Sequence, residues 1–374
     1  EISFNTSVII LFALIAQGIF TAALLPLKAE NRVANRYLAL LILLLSLWLC
    51  DSFFQASGIY GQNPDFYFLP IYFSLAFGPL IYFYTKALTL PQFRFKTQDL
   101  LHFLPAFLQM GLYLYLQSQS YTFRRNFWIN VHQPYTFDLE FILSISSVII
   151  YLLLSLQQLR AYKQQVENYF SSLQSITLNW LRSIHLFLAF LATFWLLESI
   201  GRLVWDYYPS TSLSSITIGI AVLLLAVGGL LQKDLTKVTE LSQPAEEAEK
   251  AAAEVKKSID PALVQKIQEV MRQQELFLNQ ELTLKEFARA LEMTDREVSH
   301  LLNTGLNIRF IDFVNQHRVE RVQMLIKKGQ SSHLSLLGIA LESGFNSKST
   351  FNRVFKRMTG QSPSDYQKAA QNAS

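Results

Sequence analysis

Ile339-Ala-Leu-Glu-Ser-Gly-Phe-Asn-Ser-Lys-Ser-Thr-Phe-Asn-Arg-Val-Phe-Lys-Arg-Met-Thr-Gly-Gln-Ser-Pro-Ser-Asp-Tyr366 is the stretch from which the rest of the chain is read. Ser347 is placed to cap a helix, because a serine hydroxyl accepts a hydrogen bond from a first-turn amide that has no partner in the helix. Phe351, Val354, Phe355 and Met358 then fall at i, i+3, i+4 and i+7, which puts them on one apolar face. The opposite face holds Ser349, Asn352, Arg353 and Lys356, with Lys348 beside them. Gly360 suits the left-handed stop of that helix, and Ser362-Pro363 the start of the next. An apolar back with a front of Asn, Arg, Lys and Ser fits the major groove. Arg can fork onto guanine, Asn onto adenine, and Lys can reach phosphate. A plain solvated helix would carry similar residues, so one such helix decides little.

The pattern occurs twice. Leu282-Thr-Leu-Lys-Glu-Phe-Ala288 is echoed 52 residues later by Leu334-Ser-Leu-Leu-Gly-Ile-Ala340. The following helices match at an offset of 53, with Val298, Leu301 and Leu302 against Phe351, Val354 and Phe355. Thr294 is the expected cap of the first copy, and Arg296, Ser299, His300 and Asn303 its outward face. Between the copies, Asn307 is expected to cap a long helix reaching Ile326, whose Arg309, Arg318 and Arg321 read as packing and ion-pair residues. Two rigidly joined units would enter successive major grooves, about 34 Å apart. Charge agrees: residues 305–374 hold ten Lys/Arg against four Asp/Glu, whereas residues 233–304 hold ten against fourteen. A basic lobe behind an acidic stretch suits a polyanion.

Residues of about 260–370, and Ile339–Tyr366 above all, resemble the DNA-binding domain of the AraC/XylS transcription regulators. Asn315-Gln-His-Arg-Val319 is similar to the start of that domain's connecting helix, although Val322 stands where alanine is commoner. The resemblance implies double-stranded promoter DNA as partner, RNA polymerase as a further one, and a sensor ahead of the reader. Many members carry a soluble sugar-binding barrel in that place. This chain departs from them and is similar to a membrane-bound subgroup in bacteria.

The front of the chain is of another kind. Overall 51% of residues are hydrophobic and 16% charged, and the apolar ones concentrate before about residue 232. A span needs about 20 apolar residues. Seven runs qualify or nearly so, at roughly 5–26, 35–56, 67–88, 99–117, 138–158, 181–204 and 213–232. The fourth is weakest, holding His102, Pro105 and Gln109. The first lacks a basic leader and is long enough to span, so it reads as a span, not a removable signal. Lys28, Arg32, Arg36, Lys86, Arg94, Lys96, Arg160 and Lys163 occupy the odd connections, with Lys233 and Lys237 after the last run. The even connections hold only Arg124 and Arg125. The excess of positive charge on the inner side predicts the N-terminus outside and the C-terminus in the cytoplasm of a bacterial inner membrane.

The expected fold is therefore all-α: a seven-helix transmembrane bundle over 1–232, a charged helical linker over 233–260 and a tandem helix-turn-helix domain over 261–374. Pro244–Lys257 starts with acids and ends with lysines, and Asp260-Pro261 opens a helix carrying Leu263, Ile267, Val270 and Met271 on one face. Ionisable groups within spans default to functional hypotheses. Asp51, Glu140, Glu198 and Arg202 fall in the outer half, with Trp128 in an outer loop rich in aromatics, including Tyr121, Phe123, Phe127, Tyr135 and Phe137. These make a candidate pocket for an extracytoplasmic or small-molecule ligand. Interfacial anchoring is the alternative.

His102 and His185 read as structural, Cys50 as a buried thiol, and neither a metal site nor a cofactor is expected. No clustered nucleophile or acid–base pair stands out, which argues against an enzyme. A transporter or enzyme with an attached DNA-binding domain is the rival reading, with Gln17 and Gln109 as its midplane residues. A scaffold that tethers DNA to the membrane is another. A homodimer is compatible with the layout.

Overall fold

A computed structural model describes residues 5–66, 68–90, 93–172, 178–205, 211–232, 261–328 and 334–372. Nearly all of these are helical, and none lies in a named strand. The chain divides into two compact units: residues 1–161 with 178–239, and residues 162–177 with 240–374. The expected linker at 233–260 lies outside the described residues.

The first unit holds α1 (Thr6–Leu24), α2 (Arg32–Ala56), α3 (Ile59–Gln62), α4 (Phe77–Thr89), α5 (Leu104–Gln117), α6 (Tyr121–Phe127), most of α7 (Phe137–Tyr169), α8 (Asn179–Trp205) and α9 (Thr211–Leu231). Each of the seven apolar runs carries a helix, but four stretches among the described residues are long and apolar enough to cross a membrane: Thr6–Leu27, Arg32–Ala56, Tyr121–Tyr169 and Asn179–Gly201. The described apolar part of α9, Ser215–Leu231, is shorter. The third and fourth runs are shorter than expected because of their prolines. Pro79 and Pro105 lack the amide that a helix interior requires, and each sits in the first turn of its helix. The α-helices therefore begin at Phe77 and Leu104, each entered through a 3-10 turn, Ser74–Ala76 and Thr97–Phe103.

The expected outer loop at 121–136 is also helical. α6 leads into a wide π-type segment, Trp128–Thr136, which contains Pro134 and runs on into α7. The first unit is close-packed where α1, α2 and α9 meet. A Cβ on Gly18 would stand 2.1 Å from Ser46 Oγ, and one on Gly219 would stand 2.3 Å from Leu14 Cδ1. Small residues let apolar helices approach in this way. Facing outward, Phe12, Phe20, Leu108, Phe190 and Leu231 are well exposed, an apolar surface of the kind that water covers poorly.

The second unit holds α10 (Pro261–Gln273), α11 (Leu284–Ala290), α12 (Asp295–His300), α13 (Phe310–Lys327), α14 (Leu336–Glu342), α15 (Lys348–Thr359) and α16 (Pro363–Asn372). Its core is in two parts, and α13 serves both. Phe310, Phe313 and Val314 pack with Ile267, Met271, Phe287 and Val298. Val319, Val322, Leu325 and Ile326 pack with Ile339, Phe345, Phe351 and Phe355. The cap of α13 differs from expectation. Asn307 has φ of 51° and lies before the helix, so the N-cap falls on Arg309, which makes no side-chain cap bond. Arg309 is held by Asp312 instead, at 2.7 Å.

Candidate nucleic-acid interface

α14 and α15 are joined by a tight turn at Ser343-Gly344, and Ser347 caps α15 by accepting the Thr350 amide at 3.3 Å. Phe351, Val354 and Phe355 are buried, which turns Lys348, Ser349, Asn352, Arg353 and Lys356 outward, and all five are exposed. Gly360 ends the helix at φ of 77°, with its amide on the Lys356 carbonyl at 2.9 Å. Arg357, one residue beyond that face, pairs with Asp312 at 2.5 Å. Its guanidinium is held against α13, whereas Arg353 stands on the open front.

In the first copy, Thr294 and Glu297 form a reciprocal cap, with the Glu297 amide on Thr294 Oγ1 at 3.2 Å and the Thr294 amide on Glu297 Oε2 at 2.8 Å. Arg296, His300 and Asn303 are exposed and Ser299 is half-buried. The regular helix is short. It ends at His300, and Leu301–Gly305 widens into a π-type turn that carries Asn303. Asn303 Nδ2 donates to Ser299 Oγ at 3.2 Å. The register that placed these residues 53 positions before their counterparts therefore holds on α12 but is altered at Asn303.

The two copies are joined through Arg318, which is 2% exposed. Its guanidinium donates to the carbonyls of Phe277 at 2.8 Å, Asn279 at 2.7 Å and Ser171 at 3.2 Å, and to Ser171 Oγ at 3.2 Å. Burial pushes its pKa down to about 10, which leaves it charged at neutral pH. Arg321 meets Glu275 at 3.5 Å. The arginines of α13 thus bind within the unit, as their spacing suggested.

Ser171 belongs to a segment that sequence reasoning missed. The last turns of α7 and Phe170–Ser172 are part of the second unit. Phe170 bridges Thr283 in antiparallel fashion, and the Ser171 amide donates to the Leu282 carbonyl at 3.1 Å. Glu167 pairs with Arg309, Ser172 bonds Asn346, and Tyr169 packs on the first core. This strap therefore touches both copies. The apolar run closes near 158, and the continuation of the helix to Tyr169 is seen only in the structure.

His317, 5% exposed, packs edge-on against Phe313 at 4.9 Å, with Nδ1 3.7 Å from Glu320. Burial lowers its pKa below 6.5, a shift opposed by Glu320 and reinforced by Arg272. A depressed folded-state value means that protonation favours the unfolded chain. The contribution is full above pH 6.5 and declines as pH falls below it. The unfolding free energy of the second unit, read from urea midpoints, is expected to fall between pH 7 and 5, by at most ~1.4 kcal/mol per pH unit for one proton, and His317→Phe should flatten that slope. Midpoints that rise on acidification would contradict this placement.

In the first unit Asp51, Trp128 and Glu140 line one cavity of about 720 Å³. Phe137 joins them although it is partly open to solvent, and Tyr121, Phe123 and Tyr135 of the same aromatic run are exposed without lining the cavity. The side chains of Glu198 and Arg202 lie outside the described residues. Gln109 is buried, donating to Glu140 and to Ser74 Oγ at 3.1 Å. His185 is held by Thr85 at 3.1 Å and His102 by Tyr151 at 2.8 Å.

A family model described as a helix-turn-helix domain matches residues 287–369. The chain is 28% identical over 101 residues to an uncharacterized HTH-type transcriptional regulator of Staphylococcus aureus (strain COL), covering 27% of this chain and 13% of that one. It is 32% identical over 87 residues to the uncharacterized HTH-type transcriptional regulator YpdC of Escherichia coli (strain K12), covering 23% of this chain and 30% of that one. The chain thus spans less than a third of the length of these relatives. No solved structure matches it significantly.

Proposed function

We propose that this chain, which carries a helix-turn-helix domain over residues 287–369, is a membrane-embedded one-component transcription regulator of the AraC type. Both helix-turn-helix units would bind promoter DNA, with Asn352 and Arg353 of α15 as the principal base readers and Arg296, His300 and Asn303 as their counterparts. Ser299, Ser349, Lys348 and Lys356 would serve the phosphates. The observation that carries the reading is the exposed polar front of α15 on a basic lobe, set over a buried Phe351–Val354–Phe355 back.

The membrane half of the proposal rests on four helices of sufficient length and on their outward apolar surface. One detail supports a common side for the first connection and the end of α9. Lys28 donates to the carbonyls of Leu230 and Gln232 at 3.0 and 2.7 Å, which puts the first connection beside the end of α9. α7 has 33 residues, about 50 Å at 1.5 Å per residue, which is longer than a core of about 30 Å requires. We propose that a ligand in the first unit acts on the reader through that strap.

Asn352→Ala and Arg353→Ala are each expected to cost about 1–3 kcal/mol of specific DNA affinity and to relax base preference at one position. Lys356→Ala should weaken all sequences alike and lower the salt slope by about one. Footprinting and salt titration with the full chain in nanodiscs check both. A slope and sequence preference unchanged by all three would sink the readout.

A further inference from the structure

We infer that the cavity of the first unit takes an organic cation with an apolar body, an ammonium head seated at Asp51 and Glu140. This deepens the sensing role proposed above and rests on it for its regulatory meaning.

The cavity, about 720 Å³, lies in the range that holds a drug-sized molecule. Its wall is mostly aliphatic and aromatic, and among its described lining residues there are two carboxylates and no lysine or arginine. Asp51 accepts from the Tyr60 hydroxyl, and Tyr72 lines the same wall. Glu140 accepts from the Gln109 amide and from the Tyr113 hydroxyl at 3.1 Å. The rings of Tyr72 and Tyr113 lie 5.8 Å apart on the wall that both carboxylates line. Each described partner is a neutral donor, and a carboxylate offers about four acceptor positions. The charge is thus oriented but not matched.

Ligand chemistry follows from that wall. An anionic head would face two carboxylates. A neutral apolar ligand would strip their remaining water and return nothing, which is costly for ionised groups. An ammonium gains charge-assisted hydrogen bonds from both and lies against Tyr72, Tyr113 and Trp128, whose ring faces attract cations. The π-type segment at Trp128–Thr136 brings Trp128 and His132 to the same wall, their rings 5.0 Å apart. Such segments recur at binding sites.

The test uses the full chain in nanodiscs and three probes sharing one body: 4-phenylbutylamine, 4-phenylbutanol and 4-phenylbutyrate. Equilibrium dialysis against empty nanodiscs removes lipid partitioning. The amine is expected to bind saturably and at least about tenfold tighter than the other two. Asp51→Asn and Glu140→Gln should each lose about tenfold, and Asp51→Glu, which keeps the charge, should retain the preference. Unchanged hydrogen exchange of the α2 and α7 amides, which carry Asp51 and Glu140, shows that the first unit of each variant is folded. Equal binding of the three heads, preference for the butyrate, or no saturable amine binding overturns the inference. If the amine binds selectively and operator affinity does not change with it, the ligand class stands and the sensing role fails.

Discussion

Arg318→Leu is expected to cost the second unit roughly 3–5 kcal/mol, because it removes the guanidinium from the Phe277 and Ser171 carbonyls and leaves Asn279 only the Leu282 amide at 3.3 Å. The guanidinium is 2% exposed and satisfies the carbonyls of Phe277, Asn279 and Ser171. Leucine fills part of the volume and bonds none of them. Lysine is a poor rescue, since one ammonium on a flexible stem cannot match a planar fork spread over three carbonyls. Hydrogen exchange of the α13 and α14 amides in the full chain reads the loss locally, where a whole-molecule melt would average two units. Because Ser171 is in the strap, exchange at Leu282 and Ser171 should rise together with that of α13. A change below about 1 kcal/mol would mean that those carbonyls find other donors.

Gly344→Ala is the second large effect. Gly344 has φ of 89°, a region that side chains disfavour, and a Cβ there would stand 2.2 Å from the Phe277 carbonyl oxygen and 3.0 Å from Arg318 Nε. The backbone of the second helix-turn-helix turn touches the first copy at that point, so nothing flexible can give way. Strain and clash together should cost about 3 kcal/mol or more and open the joint between the copies. Gly360 supplies the control. Its φ is 77°, but a Cβ would meet nothing within 4 Å. Gly360→Ala should therefore cost only about 1 kcal/mol, the conformational penalty alone. Equal losses in the two variants, measured as denaturant midpoints, would show that the close approach at Gly344 contributes nothing.

Much of the reader was legible because its local rules agree with its packing. The Ser347 cap, the Phe351–Val354–Phe355 stripe and the Gly360 stop are all governed by neighbours within a few residues, and the structure has each of them. The first copy was legible to its cap at Thr294 and less so at Asn303, since a π-type turn depends on how Leu301 and Leu302 settle in the core. The Asn307 cap was misplaced for a related reason: asparagine tolerates the left-handed conformation that it adopts here, and α13 starts later.

Long-range contacts were not legible. No spacing rule ties Ser171 to Arg318, 147 positions away, or Glu167 to Arg309. In the front part, composition marked the apolar runs, while proline position set where two of the helices begin. Asp51, Trp128 and Glu140 were picked out separately, as ionisable or aromatic groups in apolar surroundings, and the cavity joins them. Their partners Tyr60, Tyr72 and Tyr113 are common aromatics in an aromatic-rich sequence, and nothing local distinguishes them.

Sequence-specific promoter binding by a chain held in the membrane is tested by genome-wide mapping of DNA crosslinked to the protein in its native cell, comparing wild type with the Asn352→Ala, Arg353→Ala double variant at equal membrane abundance. Sharp peaks that share a motif and vanish in the double variant are expected. Diffuse signal that the two substitutions leave unchanged would contradict the account.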